Sequence, residues 1–484
     1  MSKIKSLKPE SVWNIFHELT QIPRPSKKEE KAAVWAKAFG EKLGLETIVD
    51  GAGNVIIRKP ASKGMEGMLG VVLQGHLDMV PQKNSDKKHD FEKDPIETLI
   101  DGEWVKANGT TLGADNGIGV AAAMAVLQDK SLKHGPLEVL LTIDEETGMT
   151  GAFELKAGLL KGDILLNLDS EDEGELYIGC AGGMNTTGTM QYKEEAVPSG
   201  FLSYKVSVTG LKGGHSGLDI NLGRGNANKL MNRFLWASKA LGIRLASLEG
   251  GSLRNAIPRE SFAHIVVPSA NKDAFLALVK ECQSVFSLEF ATPDAGVKIE
   301  ASSADMPAKI MDADSQEKLI KIVYGIPNAA MRMSPEIPDI VETSTNLAIV
   351  KVEKGEIRIQ CLLRSSVDSA KFSLGNMTQS VMELGGMKVE HNGTYPGWRP
   401  NVNSVILKTM KEVYKKKYGK TPDVKVIHAG LECGIIGAVY PKMELISFGP
   451  TIRFPHSPDE KVNIETVGKF YDFLTETLAS IPMK

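Results

Sequence analysis

Cysteine is scarce: only Cys180, Cys282, Cys361 and Cys433 occur in 484 residues, widely spaced and without a C-x-x-C pair. That argues against a disulfide framework and for a reducing compartment, the cytoplasm. Long apolar runs are missing too. No uncharged apolar stretch of about 18 residues exists, so no membrane-spanning helix is expected. The opening MSKIKSLKPESVWNIFHELTQIPRP has neither the unbroken apolar core nor the small-residue cleavage site of a secretory leader. Neither sign of charge dominates: 57 Lys and Arg stand against 60 Asp and Glu, a formal net charge of −3. No basic excess is left to neutralise a nucleic-acid backbone. The Gly-rich loops of nucleotide binders and the G-x-S-x-G elbow of serine hydrolases are also absent.

What is present is ordinary for a globular chain: 42% hydrophobic and 24% charged residues exclude wholesale disorder. The length allows roughly two to four domains. Glycine, at 47 residues, exceeds the usual share of about 7% and implies many tight turns beside strands.

Periodicity divides the chain. Apolar spacing near 3.6 predicts helices over 10–20, 29–43 and 117–128, and short apolar runs predict strands over 54–59, 68–73, 137–143 and 163–168. That alternation implies an α/β domain, a mostly parallel sheet flanked by helices. After about residue 185 the character changes. Segment 201–208 alternates with period 2 and runs into the Gly-rich LKGGHSG. Strands are predicted over 261–267 and 356–364, and helices over 224–241, 273–287 and 368–384. This is an α+β pattern. From about 402 the α/β pattern returns, with helices over 404–417 and 464–480 and strands over 423–428 and 442–448. The expected organisation is a discontinuous domain, 1–185 plus 402–484, with an α+β domain, 186–401, inserted between Pro-marked connections. A faint strand–helix–strand echo between 201–290 and 297–392 suggests a duplication. Trp13, Trp35 and Trp236 fall on helical faces and are expected in the core.

Ligand-type side chains cluster at predicted strand ends. His76 follows MLGVVLQG, Asp115 sits in TLGADNG before a helix, Glu145 and Glu146 follow LEVLLTID, Asp169 follows DILLNL, and His456 lies in GPTIRFPHSPDE. In an open parallel sheet these ends form one crevice. Carboxylates gathered there would repel one another unless cations intervened. Imidazole with carboxylate suits Zn²⁺, with Mn²⁺ or Co²⁺ as substitutes. Two histidines and three carboxylates suit two ions sharing a bridging carboxylate. In H-x-D, His76 and Asp78 face the same side of an extended segment, so Asp78 can orient the imidazole. Glu145 and Glu146 are adjacent and cannot point the same way. One can ligate while the other acts as general base on a water. Singly each residue has a plainer explanation: a helix cap at Asp115, a solvated acidic loop at 144–146, a surface histidine at 456. Their joint placement is the specific signal.

The runs GHLDMV, TLGADNGIG, TIDEETGMTGA, NLDSE and FPHSPDE, in that order, resemble the di-zinc superfamily of aminopeptidases, carboxypeptidases, deacylases and dipeptidases. GGHSG resembles its inserted lid. Length, lid size, LRNAIPRE and HAGLECG are most similar to the branch of bacterial aminoacyl-histidine (Xaa-His) dipeptidases. By that resemblance His76, Asp115 and Asp169 hold one zinc, and Asp115, Glu146 and His456 the other. Glu145 is the general base and Asp78 orients His76. A cis peptide follows Asp115. His215 stabilises the oxyanion, Asn255 touches the substrate, and Arg364 clamps its terminal carboxylate. His428, Gly430 and Glu432 would line the side-chain pocket, though a buried polar network is the alternative for them. The implied partner is a small peptide, with neither nucleic acid nor membrane. Whether lids pair in a homodimer, or a duplicated lid serves one chain, is left open by the resemblance. The same scaffold also carries N-acyl amino acid deacylases and aminotripeptidases, and a non-catalytic, metal-dependent peptide-binding protein is the alternative of a different class.

Overall fold

The computed structural model describes residues 3–484. Two compact units divide them. The first comprises the described residues up to Gly179, with Trp398–Val426 and Leu431–Lys484; the second comprises Cys180–Gly397 with Ile427–Gly430.

In the first unit, strands Val71–His76, Leu137–Thr142 and Ile164–Asn167 are buried at every position. Strands covered on both faces have no solvent side, hence the continuous apolar runs that mark them in the sequence. They pair in parallel, joined by Glu444–Ser447 beside Ile164–Asn167. Antiparallel neighbours flank this core. The sheet order is Glu46–Val49, Val55–Lys59, Leu137–Thr142, Val71–His76, Ile164–Asn167, Glu444–Ser447, Glu175–Cys180, Asp423–Ile427. The parallel part is thus four central strands, narrower than the sequence alternation suggests, in a mixed α/β sheet. The strand predicted over 68–73 is displaced to Val71–His76, so His76 is its last residue.

Helix Ala114–Gln128 is buried along nearly its whole length. Its alanines and glycines let it lie close against the sheet. At Gly75 a Cβ would stand 2.2 Å from Asn116 Oδ1, so only glycine lets that amide sit over the strand end. Asn116 uses the approach. Its Oδ1 accepts from His76 N and its Nδ2 donates to Leu168 O, tying two strand ends to the helix start. A smaller four-stranded sheet holds the hairpin Ile452–Arg453/Lys461–Asn463, whose tip carries His456. Among the described residues no helix is long and apolar enough to cross a membrane.

The second unit is built on a sheet ordered Lys298–Ser303, Phe201–Thr209, Ser261–Pro268, Arg244–Gly250, Val341–Glu353, Glu356–Ser365, Gly182–Gln191, Lys388–Tyr395. Read inward from either edge, each half is a strand–helix–strand–strand–helix–strand repeat with strand order 4-1-3-2. Helices Ala227–Ala237 and Lys272–Glu289 serve one half, Ala313–Gly325 and Asp368–Leu384 the other. The halves join through antiparallel Arg244–Gly250 and Val341–Glu353, with Leu248 opposite Val352. The echo seen in the sequence is therefore real but drawn at the wrong boundary. Lys298–Ser303 closes the first copy, and the second copy opens with Gly182–Gln191, ahead of the first. One continuous apolar core serves both copies, from Phe234 and Phe275 to Leu363 and Met382.

Trp13 is core, but Trp35 is only half-buried and Trp236 is 43% exposed, tilted against Tyr324 and covered by Lys239. Its helical face meets a neighbouring helix's edge rather than the core.

Asn226 caps helix Ala227–Ala237 by accepting from the Asn228 and Lys229 amides, and its Nδ2 donates to Leu347 O across the copies. Asn226→Ala should destabilise the second unit by about 1–2 kcal/mol, measured as a lower urea midpoint.

Candidate metal centre

The first unit gathers the predicted ligands at the C-terminal ends of its parallel strands, with the His456 hairpin beside them. His76 Nε2 lies 3.1 Å from Asp115 Oδ1 and 3.4 Å from Asp169 Oδ1. His456 Nε2 lies 3.3 Å from Asp115 Oδ2 and 2.9 Å from Glu146 Oε2. Asp115 thus turns one oxygen to each histidine. Ligand atoms of His76, Asp115 and Glu146 fall within 4.8 Å of one another.

Local backbone conformation aims these groups. The Asp115–Asn116 peptide is cis, and both residues depart from helical geometry inside Ala114–Gln128. Asp144, at φ +51°, and His456, at φ +60°, occupy the left-handed region that non-glycine residues rarely enter. Such positions persist where surroundings over-determine them, as at functional sites. Asp144 is held by the hydrogen bond its backbone N–H donates to Glu29 Oε1 and by the hydroxyls of Thr147 and Thr150, which donate to its carboxylate. The chain then turns into helix Glu145–Gly148.

Asp78 does more than face His76. Its Oδ1 is 3.3 Å from His76 Nδ1, within ion-pair range but outside hydrogen-bond geometry. The carboxylate accepts from Ser26 Oγ at 2.7 Å and from the Glu145 and Glu146 amides at 3.0 and 3.2 Å. It therefore joins the H-x-D segment to the two glutamates. Burial disfavours its charge, yet His76, the Glu145 amide and Ser26 hold its pKa at about 2.

The electrostatics show what the cluster lacks. Burial opposes a charge on His76, but Asp169, Asp115 and Asp78 raise its pKa well above that of free imidazole. Hydrogen bonds with Asp115 and Glu146 lift His456 to about 11. Burial, then the charges of Asp115 and Glu432, lift Asp169 to about 7. Burial likewise lifts Glu145 well above the carboxylate range. The imidazole protons supply positive charge to carboxylates largely withdrawn from water. A divalent cation would displace those protons and supply that charge more fully. Glu146 Oε1 and Asp169 Oδ1 are buried without a hydrogen-bond partner, which an apolar or purely hydrogen-bonded site would not leave. Oxygen and imidazole donors around a shared carboxylate fit divalent metal binding.

Glu432 lies in this first unit, buried under the sheet end, where its Oε2 accepts from Gln74 Nε2 at 2.6 Å and Thr142 Oγ1 at 2.8 Å. Burial raises its pKa to about 7.

The other predicted residues belong to the second unit. Strands Gly214–His215 and Ala256–Ile257 pair with His215 opposite Ala256, which sets Asn255, itself exposed, beside the His215 loop. His215 Nδ1 accepts from the Gly217 and Leu218 amides. A neutral ring then carries its proton on Nε2, leaving a donor. Burial, then the nearby Arg364 charge, lowers its pKa and keeps it neutral. Arg364 is buried, with Nη1 donating to Tyr395 Oη at 3.1 Å and Nε to Ser216 Oγ at 3.4 Å. His428 Nε2 meets Ser344 Oγ at 2.7 Å, and Gly430 follows on the same short segment. Ser344, Ser216 and Tyr395 were not foreseen. Serines and a tyrosine carry no spacing signal, although Tyr395 sits at the Pro396 connection.

Residues 72–480 match Peptidase family M20/M25/M40, and this chain is a member of that family. It is 48% identical to the cytosol non-specific dipeptidase of Escherichia coli K12, covering 100% of both proteins. The solved structure of an aminoacylhistidine dipeptidase from Vibrio alginolyticus superposes with a TM-score of 0.96 at 48% identity, covering 100% of this chain and 99% of that one. Aminopeptidase PepT from Bacillus cereus shares the fold alone, at 16% identity and a TM-score of 0.57 over 98% of this chain.

Asp78→Asn puts an N–H group where one carboxylate oxygen accepts, opposing one or two of its three donors. It should weaken metal affinity by about 10–100-fold, measured by competition with a chromophoric chelator. Burial, with Arg364 and His215, lowers His428 to about 3. Between there and the free value of about 6.5 the unfolded chain binds the extra proton, so stability is full above about pH 6.5 and falls as pH drops, by about 1.4 kcal/mol per unit. His428→Gln should flatten the melting temperature of the second unit against pH over that window.

Proposed function

We propose that this chain hydrolyses dipeptides, Xaa-His among them, with divalent metal and with Glu145 as general base. The observation that carries the reading is Asp115 presenting each carboxylate oxygen to a separate histidine–carboxylate pair. Two full-length relatives bearing dipeptidase names support it. His76, Asp115 and Asp169 would hold one ion, and Asp115, Glu146 and His456 the other, Zn²⁺ first, with Mn²⁺ or Co²⁺ as substitutes. Bound there, such ions lower the pKa of water and polarise a peptide carbonyl.

The chain's own groups do the rest. Asp78 holds His76 and the Glu145 amide in one frame. Glu145 accepts the proton of the attacking water and returns it to the leaving amine. Burial raises its pKa above the ordinary carboxylate range, which strengthens it as a proton acceptor. The second unit acts as a lid in this reading. His215, neutral with Nε2–H, is a donor for an oxygen that becomes negative. Arg364, pre-positioned by Tyr395 and Ser216, is a donor for a free carboxylate, with Asn255 alongside. A requirement for that carboxylate would favour dipeptides over long chains. His428 and Gly430 contribute to the side-chain pocket, while Glu432 acts from beneath the strand ends. A cytoplasmic location accords with the Escherichia coli relative's name.

Glu145→Gln should retain metal yet lose at least about 100-fold in kcat; unchanged turnover would remove Glu145 from the role. Chelation should abolish hydrolysis, and Zn²⁺, Mn²⁺ or Co²⁺ restore it. A panel of Xaa-His dipeptides, other dipeptides, tripeptides and N-acyl amino acids decides between a dipeptidase, a tripeptidase and a deacylase. It also shows which of the two relatives' specificities this chain shares.

A further inference from the structure

Two ionic side chains that the mechanism does not use lie inside the first unit, each almost wholly withdrawn from solvent. Arg24 is 1% exposed and Glu460 2%. They come from opposite ends of the chain and grip the same loop.

Glu460 accepts four backbone N–H groups in succession. Oε2 takes Leu112 and Gly113 at 2.7 and 2.9 Å, and Oε1 takes Ala114 and Asp115 at 2.7 and 3.2 Å. Arg24 takes the loop from its carbonyl side. Nη2 donates to Gly113 O at 2.6 Å, and Nη1 donates to Leu77 O and Asp78 O, each at 2.8 Å. Among the described residues no carboxylate touches the guanidinium. Its charge acts through space on a pocket crowded with Asp78, Asp115, Glu146 and Glu460.

The local sequence is built for this grip. Arg24 stands between Pro23 and Pro25, which confine the arm to extended backbone. That arm lies along the H-x-D segment, with Met79 N donating to Arg24 O and Ser26 N to Met79 O. Gly113 has φ +68°, and a Cβ there would stand 2.5 Å from Arg24 Nη2 and 2.9 Å from Met79 Sδ. Glu460 lies four residues beyond His456 and so ties that hairpin to the Asp115 loop. Three loops bearing proposed ligands or their support (76–78, 112–115 and 456–460) are thereby set relative to one another by two side chains.

We infer that Arg24 and Glu460 are positioning residues: a brace that sets the Asp115 carboxylate and His456 for the cation before it arrives. The inference rests on the metal-dependent reading above. A brace of this kind lowers the reorganisation needed on binding, so its loss appears first in metal affinity and coordination geometry. A purely structural role would move only the melting temperature.

The test uses the full chain with Arg24→Lys, Glu460→Gln and Gly113→Ala. Each is checked for folding by circular dichroism, then titrated with Co²⁺ and Zn²⁺, reading the Co²⁺ visible spectrum and the dissociation constants. Expected are folded metal-free proteins whose metal affinity falls by about 10–100-fold, with an altered Co²⁺ spectrum. In Gly113→Ala the brace is displaced without a charge change, and the same loss is expected there. Parental affinity and spectrum in all three overturn the brace, as does unfolding of all three that saturating metal does not reverse, which would make the pair a stability element only. An unmodified chain that binds no metal overturns the metal-dependent reading instead, and is recognised as such because it precedes any variant.

Discussion

Charge compensation inside the first unit is the constraint on which the rest of the structure depends. Carboxylates from distant segments, largely withdrawn from solvent, meet imidazoles at the C-terminal ends of the central strands. Such a cluster is costly unless each negative charge finds a partner. The structure answers with imidazole protons, with backbone amides turned toward Asp78 and Glu460, and with the buried Arg24 guanidinium. Buried oxygens on Glu146 and Asp169 remain without a hydrogen bond. The site is therefore poised for more positive charge than the protein itself provides, which is the physical content of its fit to divalent metal.

The sheet is arranged to make that cluster attainable. Parallel strands place all their C-terminal ends on one side, and consecutive loops there reach a common point. The unusual backbone at Asp115–Asn116, Asp144 and His456 occurs at or beside residues of the cluster. Around it, Gly75 and Gly113 let polar side chains approach the backbone where any Cβ would collide. Packing and electrostatics act here as one requirement: removing space or removing a partner disturbs the same loops.

The second unit shows another economy. Two copies of one repeat share a continuous sheet and core, which covers a strand edge that each copy would otherwise expose. Its polar constellation rests on pairing between strands: His215 with Ala256, Ser344 with Arg364 across Val341–Glu353 and Glu356–Ser365. Arg364 is pre-set by Tyr395 and Ser216 rather than free in solvent, so it would lose less side-chain entropy in the carboxylate-binding role proposed for it.

Much of this was written plainly in the chain. Helical spacing located Glu10–Thr20, Asp368–Leu384 and Ile464–Ala479 to within a residue or two, because local periodicity reflects one face meeting a core. The residue types of the cluster were legible because strand ends, loops and helix starts are marked by composition. Val341–Glu353 was not legible. Its first half, VETSTN, is polar yet fully buried, and its side chains meet partners far along the chain, Ser344 with His428 and Asn346 with Ala256. Gly182–Gln191 escaped for the same reason, and with it the true boundary of the duplication. The sequence by itself determined the local elements and the chemistry of the donors, since both depend on near neighbours. Tertiary structure alone decided which oxygen of Asp115 faces which histidine, and that Arg24 and Glu460 hold the loop between them. Contacts between residues as many as 358 positions apart leave no periodic trace, because they depend on how whole elements converge.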